Sequence, residues 1–297
     1  MRVVVGASSF ASDSDKAINL LLDRGIEVIK NPYGRKMTED EIIAHLDGAD
    51  GLLAGLEPLT ERVFAACPGL KAVARIGVGM DSVDQEAAKR HGVKVSNTPD
   101  GPTEAVAEMT VAALLSIAHQ IVPSNNDIHA GTWKKRMGFS VRGAKVFMIG
   151  YGRIGQRTAE KLKALGAEIA VYDKFNADVC TCTLEEGLKW ADVVSLHAAG
   201  SDLILSEKEL DLCRKGVVIL NSARGGLIDE AALEKKLKSG DIAWFWGDAL
   251  WQEPYTGALC ACENAILTPH IATYSTRCRE DMETAAVQNI LEDLGCV

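Results

Sequence analysis

Three polar side chains, Arg224, Glu253 and His270, each stand shortly after an apolar run that predicts a β-strand. An arginine can hold a substrate carboxylate by two parallel hydrogen bonds. A carboxylate bonded to one imidazole nitrogen favours the charged ring, and the other nitrogen can then give or take a proton near neutral pH. The three groups together predict acid–base chemistry on a small carboxylic acid. Taken singly, each has a simpler interpretation: a helix-capping arginine, a surface glutamate and a structural histidine.

A glycine-rich segment, Gly150-Tyr-Gly152-Arg-Ile-Gly155, has the spacing of a dinucleotide-binding loop. In such loops the first glycine allows the turn, the second lets a pyrophosphate approach the backbone, and the third lets helix and strand pack closely. The next predicted strand ends at Asp173, which can accept hydrogen bonds from both ribose hydroxyls and would repel a 2′-phosphate. We therefore predict NAD rather than NADP. The alternative is an ordinary glycine turn, with Asp173 as a solvated strand end.

Two pairs of cysteines raise the question of a metal site. Cys180 and Cys182 are separated by one residue, as are Cys260 and Cys262. Zinc sites usually separate their cysteines by two residues or more and often add a histidine pair. We therefore predict no metal and expect reduced thiols.

Strand and helix patterns alternate along most of the chain. The predicted strands are 3–7, 27–30, 51–54, 71–75, 93–96, 146–149, 168–172, 193–197, 217–220, 242–248 and 265–268. The predicted helices are 13–23, 38–46 (opened by a capping box), 60–66, 84–90, 154–165, 206–213, 229–239 and 274–294. This repetition predicts an α/β fold with parallel sheets covered by helices on both faces.

A long apolar segment, 104–122, follows a connector rich in proline and glycine at 99–102. A helix that is apolar on nearly all sides must be buried. The segment therefore predicts either a core helix between domains or an oligomer interface, and we favour the interface.

Composition and charge limit the classes of partner. The chain has 297 residues, which suggests two domains, and its net charge is −9. Such acidity disfavours nucleic acid and anionic membranes as partners. The N-terminus becomes polar too early for a secretory signal, so we expect a cytoplasmic protein. We also expect no appended regulatory domain after the last helix.

The motifs taken together resemble the D-isomer-specific 2-hydroxyacid dehydrogenases, particularly their phosphoglycerate dehydrogenase-like branch. The matching segments run in the family's order over nearly the whole chain. They are Arg75-Ile-Gly-Val-Gly-Met-Asp81, Asn97-Thr-Pro99, Ala105-Val-Ala-Glu108, the Gly150–Gly155 loop, Asn221–Asp229, Asp248 through Glu253-Pro254, and Pro269-His270-Ile.

The resemblance implies two doubly wound parallel-sheet domains with a cleft between them. One is a discontinuous, flavodoxin-like substrate domain of residues 1–97 and 271–297. The other is a Rossmann NAD-binding domain of residues 98–270. The family's usual dimer contact would fall on the helix 104–122, which implies a homodimer.

The resemblance also implies a role for each matching residue. Arg224 would grip the substrate carboxylate, His270 would be the acid/base, and Glu253 would be its partner. The implied cofactor contacts are Val78, Gly150, Gly152, Arg153, Ile154, Gly155, Asp173, Ser222, Ala223 and Asp248. The implied substrate contacts are Arg75, Val78, Gly79 and Arg224.

The expected activity is reversible hydride transfer between NAD(H) and a small 2-hydroxy or 2-keto acid. Either 3-phosphoglycerate or a short acid such as glyoxylate or hydroxypyruvate would suit the motifs. An alternative is a non-enzymatic NAD-sensing protein, such as a corepressor, on the same fold. One departure bears on the site: Trp244-Phe-Trp246 stands before Asp248, where the family usually has small residues. A chain whose site this strand has spoiled is a third interpretation.

Overall fold

The computed structural model describes residues 1–200 and 202–296. The chain divides into two compact units. The first unit is Met1–Pro102 with Tyr274–Val297, and the second unit is Thr103–Thr273. Each unit contains an entirely parallel sheet, so the predicted α/β fold with two parallel-sheet units is confirmed.

The sheet of the first unit has the strand order β2-β1-β3-β4-β5, which is the flavodoxin-like order. Its strands are β1 (Arg2–Val5), β2 (Glu27–Ile29), β3 (Gly51–Ala54), β4 (Ala72–Arg75) and β5 (Lys94–Asn97). Its helices are α1 (Lys16–Leu22), α2 (Glu39–His45), α3 (Glu61–Ala66), α4 (Gln85–Arg90) and, from the chain's end, α11 (Thr276–Asp293).

Local signals explain these elements. The predicted capping box opens α2, because Thr38 Oγ1 accepts from the N–H of Glu41 and the Glu41 carboxylate accepts from the N–H of Thr38. The helix α11 lies against β3 so closely that a Cβ on Gly51 would stand 3.1 Å from Ile290. The last helix therefore belongs to the first sheet, as a discontinuous unit requires.

The sheet of the second unit has the order β11-β10-β9-β8-β6-β7. Its strands are β6 (Lys145–Ile149), β7 (Glu168–Tyr172), β8 (Val193–Leu196), β9 (Val217–Asn221), β10 (Ile242–Gly247) and β11 (Ala265–Leu267). Its helices are α6 (Ile121–His129), α7 (Arg153–Ala164), α8 (Leu184–Trp190), α9 (Glu207–Asp211), α10 (Glu230–Ser239) and α5 (Gly101–Ala118), which begins just before the unit's first residue.

The second sheet is covered on both faces, as a doubly wound sheet must be. Along β6, Phe147 and Ile149 belong to one core cluster, while Val146 and Met148 belong to the other. The chain runs from β6 to β7 on one side and returns to β8 on the other. This reversal is the position where open α/β sheets bind ligands, beyond the carboxyl ends of the strands.

The predicted helix 104–122 is wrong in its extent. The helix α5 ends at Ala118, and α6 begins at Ile121 after Gln120 in a left-handed conformation with φ 55°. A non-glycine residue rarely adopts this conformation inside a helix, so Gln120 marks the break. The buried side chains of α5, including Leu114 and Ile117, pack in the core of the second unit.

Within residues 1–200 and 202–296, no single helix is long and apolar enough to cross a membrane. Only together do α5 and α6 have the length and apolar composition of a span, and the two helices are bent by 60° relative to each other.

Candidate active site

A histidine–glutamate pair lies at the carboxyl edge of the second sheet. The loop after β11 carries His270, and the loop after β10 carries Glu253, whose Oε1 lies 2.9 Å from His270 Nδ1. This hydrogen bond holds the pKa of the Glu253 carboxyl below its ordinary value, although partial burial opposes it. The ionised carboxylate only accepts hydrogen bonds, so Nδ1 carries the hydrogen and Nε2 is left to exchange a proton.

The backbone at His270 adopts a left-handed conformation with φ 54°. Such a conformation costs a non-glycine residue about 1–3 kcal/mol and persists only where the surrounding structure imposes it. Asp248 supplies those surroundings: its backbone oxygen accepts from the N–H of His270, and its carboxylate accepts from the N–H groups of Ile271 and Ala272 at 2.9 Å each. The Asp248 side chain, 1% exposed, therefore holds this loop in place and is also one of the predicted cofactor contacts.

A cavity of about 480 Å³ lies beside the pair. Its polar lining comprises Asp248, Glu253, Thr268 and His270. The remaining lining residues are Leu250, Pro254, Tyr255, Cys260, Leu267 and Pro269. A mostly apolar cavity with a few convergent polar groups has the character of a small-molecule site.

Arg224 lies in the loop after β9, next to the glutamate-bearing loop. Asn221 shapes this loop, since its side chain accepts from the N–H of Ala223 at 3.0 Å and donates to the oxygen of Arg224 at 2.8 Å. The loops after β9 and β10 touch closely, because a Cβ on Gly225 would stand 2.4 Å from the nitrogen of Trp251. The Arg224 guanidinium also contributes to lowering the pKa of Glu253. The structure therefore brings Arg224, Glu253 and His270 to one edge of the sheet.

The glycine loop between β6 and α7 fits a dinucleotide. Gly150 has φ 91°, and a Cβ there would stand 2.5 Å from the nitrogen of Ala198. A Cβ on Gly155 would stand 2.4 Å from the oxygen of Gly150. A Cβ on Gly152 would meet no heavy atom within 4 Å, so the space before α7 is open to a ligand. The helix begins at Arg153, and its first turn includes Ile154; its N-terminal N–H groups suit a phosphate.

A cavity of about 500 Å³ adjoins this loop and includes Gly150, Gly152 and Asp173 in its lining. The Asp173 carboxylate already accepts from the N–H groups of Tyr151, Phe175 and Asn176 at 2.8, 2.9 and 3.0 Å. It is therefore tied to the glycine loop, and it keeps lone pairs for ribose hydroxyls, since two carboxylate oxygens offer about four acceptor sites.

His197 is a residue of this region that the sequence analysis did not assign to the site. Its Nε2 lies 2.8 Å from Ser195 Oγ, and its Nδ1 lies 3.2 Å from Ser222 Oγ. Burial lowers the pKa of His197 to about 4, so the ring is neutral near pH 7. The sequence could have indicated this role, because His197 is the last residue of a predicted strand. The ring thereby contacts Ser222, which with Ala223 was predicted to contact the cofactor.

The other predicted contacts, Arg75, Val78 and Gly79, belong to the first unit. Arg75 ends β4, and Val78 is 41% exposed in the following loop with Gly79. Burial raises the pKa of the Glu57 carboxyl, which is 1% exposed. The nearby Arg75 guanidinium acts in the opposite direction and lowers it. Glu57 accepts from the N–H of Gly55 at 2.9 Å.

Comparison with known proteins supports the interpretation of the motifs. Residues 111–272 match the model of the NAD binding domain of the D-isomer specific 2-hydroxyacid dehydrogenases. The D-3-phosphoglycerate dehydrogenase of Pongo abelii is 32% identical over 289 residues, covering 91% of this chain and 54% of that protein. The chain therefore spans about half the length of such relatives.

Two further relatives match over most of both chains. The glyoxylate reductase of Thermococcus kodakarensis is 30% identical over 297 residues, covering 91% of this chain and 89% of that protein. A crystal structure of a protein from Thermus thermophilus superimposes with a TM-score of 0.91 at 33% identity, covering 99% of this chain and 97% of the other. The chain therefore belongs to the D-isomer-specific 2-hydroxyacid dehydrogenase family, and its second unit contains that family's NAD-binding domain.

Proposed function

We propose that this protein is an NAD-dependent dehydrogenase that interconverts a small 2-hydroxy acid and the corresponding 2-keto acid. The observation that carries the proposal is the 2.9 Å bond between His270 Nδ1 and Glu253 Oε1 beside a cavity of about 480 Å³. A histidine oriented by a carboxylate is equipped for proton transfer. A protein that only senses NAD could keep the same pair, so turnover is the measurement that separates the two interpretations.

In the proposed mechanism, Arg224 binds the substrate carboxylate through two parallel hydrogen bonds. When bound, NADH supplies the hydride that reduces the keto carbon, and NAD⁺ accepts it in the reverse direction. His270 Nε2 gives its proton to the keto oxygen during reduction and takes it back during oxidation. Glu253 stabilises the charged ring, because the hydrogen bond between them is strongest when the imidazole is protonated.

The cofactor contacts follow the family's pattern. We assign the pyrophosphate to Gly150, Gly152, Arg153, Ile154 and Gly155, and the adenosine ribose to Asp173. We assign the nicotinamide region to Val78, Ser222, Ala223 and Asp248. The open space in front of Gly152 and the unobstructed start of α7 support the first assignment.

For the substrate, we favour glyoxylate or hydroxypyruvate over a phosphorylated acid. Arg75 and the loop at Val78 and Gly79 are the proposed contacts of the first unit. A phosphate dianion would need uncompensated positive charge there. The Arg75 guanidinium instead donates a hydrogen bond to the backbone oxygen of Ile76 and interacts with the buried Glu57 carboxyl, so part of its donor capacity is already used.

A substrate panel tests the activity. We expect the protein to oxidise NADH with glyoxylate or hydroxypyruvate, at a higher kcat/KM than with 3-phosphohydroxypyruvate. NADPH should serve less well because Asp173 repels its 2′-phosphate. The measurement is the loss of NADH absorbance for each acid. Tight NADH binding without turnover on any acid would favour the NAD-sensing alternative instead.

We further propose a cytoplasmic homodimer. All eight cysteines are free thiols, which suits a reducing compartment. The exposed apolar side chains that we propose for the dimer contact follow α5 in the chain and begin at the start of α6. Ile121, Ile128, Trp133 and Met137 are 55%, 54%, 84% and 95% exposed. Arg136 and Asp127 hold the segment in shape through two hydrogen bonds of 2.6 and 3.0 Å.

The dimer contact can be tested by charge insertion. We expect Trp133→Asp to convert a dimer into a monomer in sedimentation analysis, since an exposed apolar patch is buried only in the assembly. Tyr33→Asp, at a residue 45% exposed in the first unit, is the control and should leave the dimer intact. A Trp133→Asp protein that remains dimeric would contradict this contact.

A further inference from the structure

The strand β10 carries bulky side chains where the family usually has small ones, and one of them is fully buried. Trp246 is 0% exposed and packs in the core cluster that contains Met148 and Leu220. A buried indole N–H needs an acceptor. It donates to Thr268 Oγ1 at 3.2 Å, so the bulky residue is linked to the loop that carries the catalytic histidine.

The Thr268 hydroxyl connects Trp246 to the carboxylate of Asp248. A hydroxyl has one hydrogen to donate, and the indole of Trp246 can only donate. Thr268 therefore accepts from Trp246 and gives its own hydrogen to Asp248 Oδ1 at 2.6 Å. The other acceptor within reach, the oxygen of Gly247, is farther away at 3.4 Å. The charged acceptor also forms the stronger bond.

The orientation of the Asp248 carboxylate sets the course of the backbone after the histidine. Its Oδ1 accepts from the N–H of Ile271 and its Oδ2 from the N–H of Ala272. The left-handed His270 stands immediately before these two residues. A rotation of the carboxylate would release both N–H groups, and the strained backbone at His270 would lose its support.

We propose that Trp246 and Thr268 are positioning residues for His270, acting through Asp248. The proposal rests on the proposed function in assigning proton transfer to His270. Filling the core does not by itself require the hydrogen bond, because a phenylalanine would fill most of the same space without it. The departure of β10 from the family's small residues therefore supports the site, and the interpretation that this strand has spoiled it is not favoured.

Backbone amide exchange in the free protein, followed by mass spectrometry, tests the link without catalysis. We expect Thr268→Val to speed exchange in the peptide 268–273 about tenfold, because Asp248 loses a donor and the indole loses its acceptor. Trp246→Phe should speed it about threefold, since the hydroxyl keeps its bond to Asp248. Thr268→Ser should restore the wild-type rate.

The matched control is Trp244→Phe. Trp244 lies on the same strand and packs against the same core cluster. Trp244 is only partly buried, so the control should leave exchange in the peptide 268–273 unchanged; it separates the effect of Trp246 from the loss of an indole ring elsewhere on the strand.

Steady-state kinetics on the same variants test the consequence for the site. We expect kcat to fall about tenfold in Thr268→Val and about threefold in Trp246→Phe, in proportion to the loosening of the loop. The dissociation constant for NADH should rise less than kcat falls, because the glycine loop is untouched and Asp248 is the one proposed cofactor contact that the variants disturb.

The outcomes distinguish this inference from the proposed function. Wild-type exchange and kcat in both Trp246→Phe and Thr268→Val would overturn the inference, and so would equal effects of Trp246→Phe and Trp244→Phe. If Thr268→Val does not fold, the comparison of the two tryptophan variants decides. Accelerated exchange in a protein that turns over none of the acids would support the hydrogen-bonded link and refute the proposed function.

Discussion

His270→Gln is expected to lower kcat by about 10²–10⁴-fold, the usual contribution of a positioned acid or base. Glutamine can still form a hydrogen bond with Glu253, but it cannot transfer a proton near neutral pH. The affinity for NADH, measured by fluorescence titration, should remain that of the wild type, because the glycine loop lies elsewhere on the sheet.

The control for this prediction is a second histidine–glutamate pair. His91 Nε2 lies 2.7 Å from Glu61 Oε1 on the surface of the first unit. His91→Gln removes the same type of pair away from both cavities and should leave kcat unchanged. If His270→Gln kept kcat within about tenfold of the wild type, far from the usual effect, His270 would not be the acid/base.

Arg224→Lys is expected to have the second largest effect, a fall in kcat/KM of at least about 10²-fold. Lysine keeps the positive charge but lacks the planar fork that holds a carboxylate by two hydrogen bonds. Because the carboxylate is bound both before and during the reaction, we expect KM for the keto acid to rise while NADH binding is unchanged.

Arg214→Lys is the matched control for Arg224→Lys. Arg214 pairs with Asp192 on the surface of the same unit, so the same chemical change is made where no substrate is proposed to bind. Saturation curves for the keto acid at fixed NADH give both parameters. Equal kcat/KM values for Arg224→Lys and Arg214→Lys would remove Arg224 from the substrate site.

Local patterns predicted most elements, and the two missed helices show where they were insufficient. The helix α8 was not predicted, although Thr183 and Glu186 form the same kind of capping box that was recognised at Thr38. The helix α6 was not predicted because its apolar side chains, Ile121 and Ile128, are exposed and form no buried stripe. For α8 the sequence contained a capping box that was overlooked, whereas for α6 the sequence contained no comparable feature.

The glycine loop was predictable because its constraints are local. The spacing of Gly150, Gly152 and Gly155 reflects contacts within one strand, one turn and one helix. The additional bonds of Asp173 to the backbone of that loop were not predictable, because they depend on how two neighbouring strands end.

The amino-acid sequence alone determined the α/β class, the dinucleotide-type loop and the three side chains proposed for chemistry, since hydrophobic period, glycine spacing and residue type are all properties of short segments. Only the tertiary structure gave the 2.9 Å distance between the predicted partners Glu253 and His270, the packing of α5 in the core, and the hydrogen bond from Trp246 to Thr268. These outcomes depend on distances between residues that the sheet brings together, and a hydrogen bond exists only when both partners arrive within about 3 Å of each other.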